Sequence, residues 1–192
     1  MLSFNTHTFQ ALGSKTWLGT PERRSKMSSR TSIVTLLALM APGLANAASY
    51  TVDRYGTGDY TTIQAAINAS ADGDIITVKA ATYKEYIDFK GKKITVKSEK
   101  GAASTIIDTA TTATYSVTFS NSETSAAVLQ GFTLKNASRN GIYIKNASPT
   151  LKDISVKSMG SSTSYNGSGA YIDGGSPSFT DSEFSANVSY YG

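Results

Sequence analysis

The chain has 192 residues, the length of one domain, with 40 % hydrophobic residues and a formal charge of +4. The charge belongs to the first 47 positions, where Lys15, Arg23, Arg24, Lys26 and Arg30 stand against Glu22. The remaining 13 basic and 13 acidic residues cancel, which removes the electrostatic footprint of a nucleic-acid binder. Cysteine is absent and the single histidine and tryptophan, His7 and Trp17, lie in the leader. Disulfides, thiolate metal sites, Ser-His-Asp triads and histidine general bases are therefore excluded from the rest of the chain.

Residues 1–47 form the first division, and 27–47 read as a secretory signal. Met27-Ser-Ser-Arg30 is a short basic start, Ile33 to Ala41 an apolar run, Pro42-Gly43 a breaker and Ala45-Asn-Ala47 a small-residue cleavage site. The apolar run falls well short of the ~20 residues that a membrane span requires. The expected location is therefore secreted, extracellular or periplasmic, or at the cell surface, with no transmembrane segment after cleavage. Met27 is an alternative start, and Arg23-Arg24 is an alternative twin-arginine element.

Residues 48–74 predict an amino-terminal cap. A Gly-rich turn, Gly56-Thr-Gly-Asp59, leads to a short helix over Thr62–Ala69. Ile63, Ala66 and Ile67 fall on one face and Gln64 on the outer one. Thr61 or Thr62 caps the first turn. Gly73, in Ala71-Asp-Gly73, suits a left-handed cap. The period then switches to two: Ile76 and Val78 on one side, Thr77 and Lys79 on the other.

Three runs in this region carry a resemblance: Gly58-Asp-Tyr-Thr-Thr-Ile-Gln-Ala-Ala-Ile67, Asp72-Gly-Asp-Ile-Ile-Thr-Val78 and Thr82-Tyr-Lys-Glu85. Lys92-Lys-Ile-Thr-Val-Lys-Ser98 and Thr105-Ile-Ile-Asp108 extend it. Together they resemble the amino-terminal end of the pectin-lyase-like superfamily, over roughly the first third of the mature chain. Ala81 departs from the Gly that relatives often carry before Thr-Tyr-x-Glu. The resemblance implies an all-β fold, a single-stranded right-handed parallel β-helix with a short capping helix. It also implies a polysaccharide or cell-surface glycan as partner.

From 75 to 192 the chain reads as the coils of that solenoid. Short alternating runs occur at Ile75–Val78, Tyr86–Phe89, Ile94–Val96, Thr105–Asp108, Val117–Phe119, Phe132–Leu134, Ile142–Lys145, Ile154–Lys157 and Ala170–Asp173. Gly141 to Asp153 repeats as Gly169 to Asp181 at an offset of 28, pairing Tyr143 with Tyr171 and Pro149 with Pro177. Leu129 and Leu134 pair with Leu151 and Val156 at an offset of 22. Ser161 to Ser168 reads as a polar loop inserted in the longer step. Such a period is that of a β-solenoid. Four or five coils are expected, as the front piece of a longer solenoid, with the helix plugging the first coil's bare edge.

Two constellations bear on chemistry. Tyr143 and Tyr171 are expected to point outward, with Lys145 and Asp173 two residues on. They form either a platform for sugar rings or a cross-strand aromatic pair worth ~0.2–1 kcal/mol. Asp153 and Asp181 are expected to stack on neighbouring coils, either sharing a calcium ion or serving as ordinary turn residues. Lyases of the superfamily use calcium held by acidic residues, with an Arg or Lys as base. The esterase branch uses two Asp, an Arg and Gln residues, in motifs not intact here. Arg139, in Ser138-Arg-Asn-Gly141, reads as solvent-exposed. Asn136-Ala-Ser138 and Asn146-Ala-Ser148 suggest polar turn ladders. The expected function is that of a carbohydrate-directed secreted β-helix segment, lyase-like but without an identifiable catalytic site. The alternatives are an adhesive surface solenoid and a pectin-esterase-like hydrolase.

Overall fold

A computed structural model describes residues 46–160 and 169–188. The signal reading lies outside the described residues except at Asn46 and Ala47, and the polar insertion from Ser161 to Ser168 lies outside them altogether. The elements in chain order are β1 Ser49–Val52, α1 Ile63–Ala69, β2 Ile75–Val78, β3 Thr82–Tyr83, β4 Ile87–Asp88, β5 Thr95–Ser98, β6 Ile106–Asp108, β7 Tyr115–Phe119, β8 Val128–Lys135, β9 Asn140–Lys145, β10 Thr150–Lys157, β11 Ala170–Asp173, β12 Ser178–Thr180 and β13 Glu183–Ser185. Among the described residues no helix is long and apolar enough to cross a membrane.

All named strand pairings are parallel and join one coil to the next. One sheet runs β1-β2-β5-β8-β10-β12, with β6 and β13 on the second halves of β8 and β10 and β3 beside β6. The other runs β4-β7-β9-β11. Leu129 lies beside Leu151 and Leu134 beside Val156, while Tyr143 lies beside Tyr171 and Leu151 beside Phe179. Both expected offsets are thus real registers. The result is a parallel β-helix of about five turns closed at one end by a short helix. Strands β1, β3, β12 and β13 lie outside the expected runs. Each has four residues or fewer, too short for alternation to stand out from its turns.

The interior is a set of apolar columns. Ile76, Val96, Leu129 and Leu151 follow one another up the first sheet, and Ile107, Leu134 and Val156 up its second half. Val117 with Ile142, and Phe119 with Ile144, line the other sheet, all fully buried. Phe89 and Phe119 pack with ring centroids 4.5 Å apart. In the last described coil Ile172 holds the same inward register as Ile144 but is 47 % exposed.

Left-handed residues make the corners. Gly131 (φ 80), Asp153 (φ 49) and Asp181 (φ 50) form one column, and Asn136 (φ 62), Ser158 (φ 54) and Ala186 (φ 52) another. A positive φ turns the chain within a single residue, and Gly, Asn and Asp tolerate it best. The polar ladders expected at the Asn-Ala-Ser runs are only partly to backbone. Asn136 Nδ2 donates to the Asp108 carboxylate at 2.8 Å, while Ser138 Oγ donates to the Ala113 carbonyl at 3.1 Å and Ser148 Oγ accepts from the Ser176 amide at 3.0 Å.

Helix α1 seals the first coil by burying Ile63, Ala66 and Ile67 completely. Its N-cap is Thr62, whose hydroxyl accepts from the Ala65 amide at 3.3 Å. Charges of the coil beneath hold both ends in the sense the helix dipole favours. The Glu85 carboxylate accepts from the Ile63 and Gln64 amides, each at 2.9 Å. The Lys92 ammonium donates to the carbonyls of Ile67, Asn68 and Ser70 at 2.5, 2.9 and 2.6 Å. Gln64 is not a neutral outer residue: its amide closes on the Asp88 backbone, accepting from N–H at 2.7 Å and donating to C=O at 3.2 Å. Nor does Gly73 cap the helix. The C-cap is Ser70, extended at φ −68 and ψ 153, and Gly73 takes φ 95 in the turn that follows. There the buried Asp74 carboxylate gathers the Ala48 amide at 2.7 Å and the Ala71 amide at 2.8 Å, joining the first strand to the end of the helix.

Candidate functional site

The outer face of the sheet β4-β7-β9-β11 carries the largest aromatic feature. Burying Ile142 and Ile144 sends Tyr143 outward from β9, and the same alternation sends Tyr171 outward from β11. The two rings stack at 5.6 Å with 6° between planes. Tyr115 joins them, 4.4 Å from Tyr143 and tilted by 17°. The backbone partner of Tyr143 is Thr118, so the Tyr115 ring reaches its neighbour by leaning along the strand. Tyr115 precedes Tyr143 by the same 28 residues that separate Tyr143 from Tyr171. That recurrence was the signal that could have found it.

Stacking uses up the ring faces within the column. The ladder therefore presents ring edges and, at its two ends, the faces of Tyr171 and Tyr115 that no other ring of the described residues covers; Tyr171 is 44 % exposed. A groove of about 230 Å³ runs beside it, lined by Tyr115, Arg139, Asn140, Tyr143 and Tyr171. Arg139, expected to be solvent-exposed, is half-buried in this wall. The turn carrying it is fixed by the Arg139 and Asn140 amides donating to the Thr114 carbonyl at 3.1 and 3.2 Å. Its position depends on that turn folding back across the ladder, which the local sequence Ser-Arg-Asn-Gly does not reveal. Lys145 and Asp173 are register partners on adjacent strands of this face, two positions beyond the tyrosines.

Asp153 and Asp181 belong to a different sheet. They occupy successive corners of the β8-β10 face and line a second groove, of about 240 Å³, with Ser155, Lys157 and Glu183. Asp153 Oδ2 accepts from the Ala102 amide at 3.3 Å, so it ties a neighbouring loop to the corner. Lys157 pairs with Glu183 at 3.3 Å. The Glu183 carboxyl is held below its ordinary value, first by the hydrogen bond from Ser185 and then by Lys157. Calcium takes six to eight oxygen ligands. Among the described residues no group of three or more His, Cys, Asp or Glu side chains converges to hold a metal. The donors of this groove do not fit a calcium site.

The aromatic, arginine-walled groove thus lies on one sheet and the carboxylate corners on another. No protein-family model matches the chain, and no curated protein matches it. Among solved structures it is similar to the crystal structure of a pectin methylesterase mutant in complex with a hexasaccharide. The match has a TM-score of 0.58 at 19 % identity and covers 77 % of this chain and 52 % of that one. The class defined by the fold is therefore the right-handed parallel β-helix, and this chain spans about half the length of that enzyme.

Proposed function

We propose that the chain binds polysaccharide along the tyrosine ladder, as a carbohydrate-directed segment of a secreted β-helix protein, and does not itself perform lyase chemistry. The observation that carries this reading is the stack Tyr115-Tyr143-Tyr171 beside Arg139 in one groove. Tyrosine offers a large, rigid, amphipathic surface at low conformational-entropy cost. A row of phenol hydroxyls matches a row of sugar hydroxyls, and the open face of Tyr171 accepts the apolar face of one pyranose. The Arg139 guanidinium suits a sugar carboxylate. The pectin methylesterase of similar fold was crystallised with a hexasaccharide, which supports a glycan as ligand. Placing Asp153 and Asp181 on another sheet argues against a lyase centre built from them.

The test is calorimetric titration of the full chain with oligogalacturonides, alongside an absorbance assay for unsaturated product. Binding should weaken several-fold in Tyr171→Ala, in line with the ~0.5–1.5 kcal/mol of an aromatic contact, and no product should form. Absence of binding defeats the reading. So does turnover that disappears in Asp153→Ala.

A further inference from the structure

A second cavity adjoins the ladder at its other end. It has a volume of about 330 Å³ and is lined by Tyr86, Thr112, Ala113, Thr114, Tyr115 and Thr118. That is the low end of the size range of small-molecule sites, and more room than a methyl or acetyl group fills. Among the described residues no charged side chain lines it, whereas the groove on the far side of Tyr115 contains Arg139. Tyr115 is a wall of both. One neighbour of its ring is Tyr143, and among the described residues no other ring stacks on it. Tyr86, 59 % exposed, stands at the cavity's edge.

The cavity wall is held by backbone. The Ala113 carbonyl accepts from the Ser138 amide at 3.0 Å and from Ser138 Oγ at 3.1 Å. The Thr114 carbonyl binds the amides of the turn that presents Arg139, and the Thr111 amide donates to the Asn136 carbonyl at 2.7 Å. The two grooves therefore share one frame, and the cavity exists before any ligand arrives.

We infer that this cavity takes an uncharged aromatic acyl group, such as a hydroxycinnamoyl ester, borne on the glycan that lies along the ladder. The ring of such a group enters between Tyr86 and Tyr115 and becomes the next member of the stack. Offset stacking at the spacing already present in the ladder is the favourable geometry for it. Thr114 and Thr118 line the wall and bring hydroxyls suited to its ester carbonyl or phenol. A carboxylate or ammonium would meet no opposite charge there, which selects against ionic substituents. The inference rests on the glycan reading of the ladder for its attachment, but the cavity can be probed alone.

The experiment titrates the full chain with three ligands: an oligogalacturonide, the same oligosaccharide carrying a 4-hydroxycinnamoyl ester, and free methyl 4-hydroxycinnamate. The esterified oligosaccharide should bind about tenfold tighter than the plain one, the equivalent of one good aromatic contact. Tyr86→Ala should remove that advantage and leave plain-oligosaccharide binding unchanged, while Tyr86→Phe retains it. Equal affinity of the two oligosaccharides overturns the inference, as does an advantage that survives in Tyr86→Ala. Binding of methyl 4-hydroxycinnamate that depends on Tyr86, without any oligogalacturonide binding, upholds the cavity and defeats the glycan reading. Binding of none of the three defeats both.

Discussion

At the scale of single residues, a buried hydroxyl and a half-buried carboxylate make opposite demands. Ser116 is fully buried and its hydroxyl has no hydrogen-bond partner among the described residues. It follows Tyr115 at the point where β7 buries two consecutive residues, Ser116 and Val117. An unsatisfied buried hydroxyl costs about 1–3 kcal/mol. Ser116→Ala should therefore raise stability by roughly 1 kcal/mol in a urea titration, and a clear loss would mean that the hydroxyl has a partner. Glu85 is the converse, a carboxylate with two amide donors in a setting where burial still pushes its proton affinity up. The folded protein then holds this proton more tightly than the unfolded chain does. The contribution of Glu85 is fully present below the ordinary glutamate range and declines as pH rises through the raised folded value. The stability of wild type relative to Glu85→Gln should fall with rising pH across that window. A flat or rising difference would contradict the burial. Asp53 behaves oppositely: hydrogen bonds, first from Thr57 and then from the Tyr55 amide, hold it below its ordinary value.

At the scale of elements, α1 is held by a division of labour that its own seven residues do not display. Its apolar face was legible in the spacing of Ile63, Ala66 and Ile67, because helical period needs only local sequence. The end clamps, Glu85 and Lys92, were not legible. They come from the coil below, 22 and 25 residues away from the helix residues they bind, and only the solenoid register brings them there. Ile67→Asp should cost several kcal/mol by burying an unpaired carboxylate. Lys92→Met keeps the stem and removes the charge, leaving three carbonyls without their donor, and should cost about 1.5–3 kcal/mol. Gln64→Ala should also destabilise, against the helical-wheel reading, because the Asp88 backbone loses both partners. If chemical denaturation finds Gln64→Ala and Lys92→Met both neutral, the helix is held by its apolar face alone. The same contrast governs the functional face. Tyr143 and Tyr171 were legible as a repeat, whereas Arg139 depends on a turn whose fixing carbonyl lies in β7's approach.

At the scale of the whole molecule, the coils are neighbours in space because they are neighbours in the repeat, and each sheet accumulates one outward column per coil. The fold was therefore readable once two offsets, 28 and 22, were found in the sequence. Which columns share a face was not readable. The number of residues spent in each corner decides that, and the corners are single left-handed residues whose identity varies from Gly to Asp to Ala. The pairing of Asp153 with Asp181 was a correct repeat assignment, but it lies on a sheet away from the tyrosines.

If the leader is cleaved as proposed, the bond between the Ala48 amide and the buried Asp74 carboxylate links this architecture to maturation. Cleavage after Ala47, which Ala45-Asn-Ala47 predicts, turns that amide nitrogen into an α-ammonium facing a carboxylate 4 % exposed. The carboxylate's partner changes from a neutral amide to a cationic donor, so the bond gains an ion pair. Processing would then tighten the first strand against the helix plug at the moment the leader departs. Protein beginning at Ala48 should have a higher urea midpoint than protein retaining ten further upstream residues, and Asp74→Asn should shrink that gap. Identical midpoints for the two forms would leave the signal peptidase with no part in setting the stability of the cap.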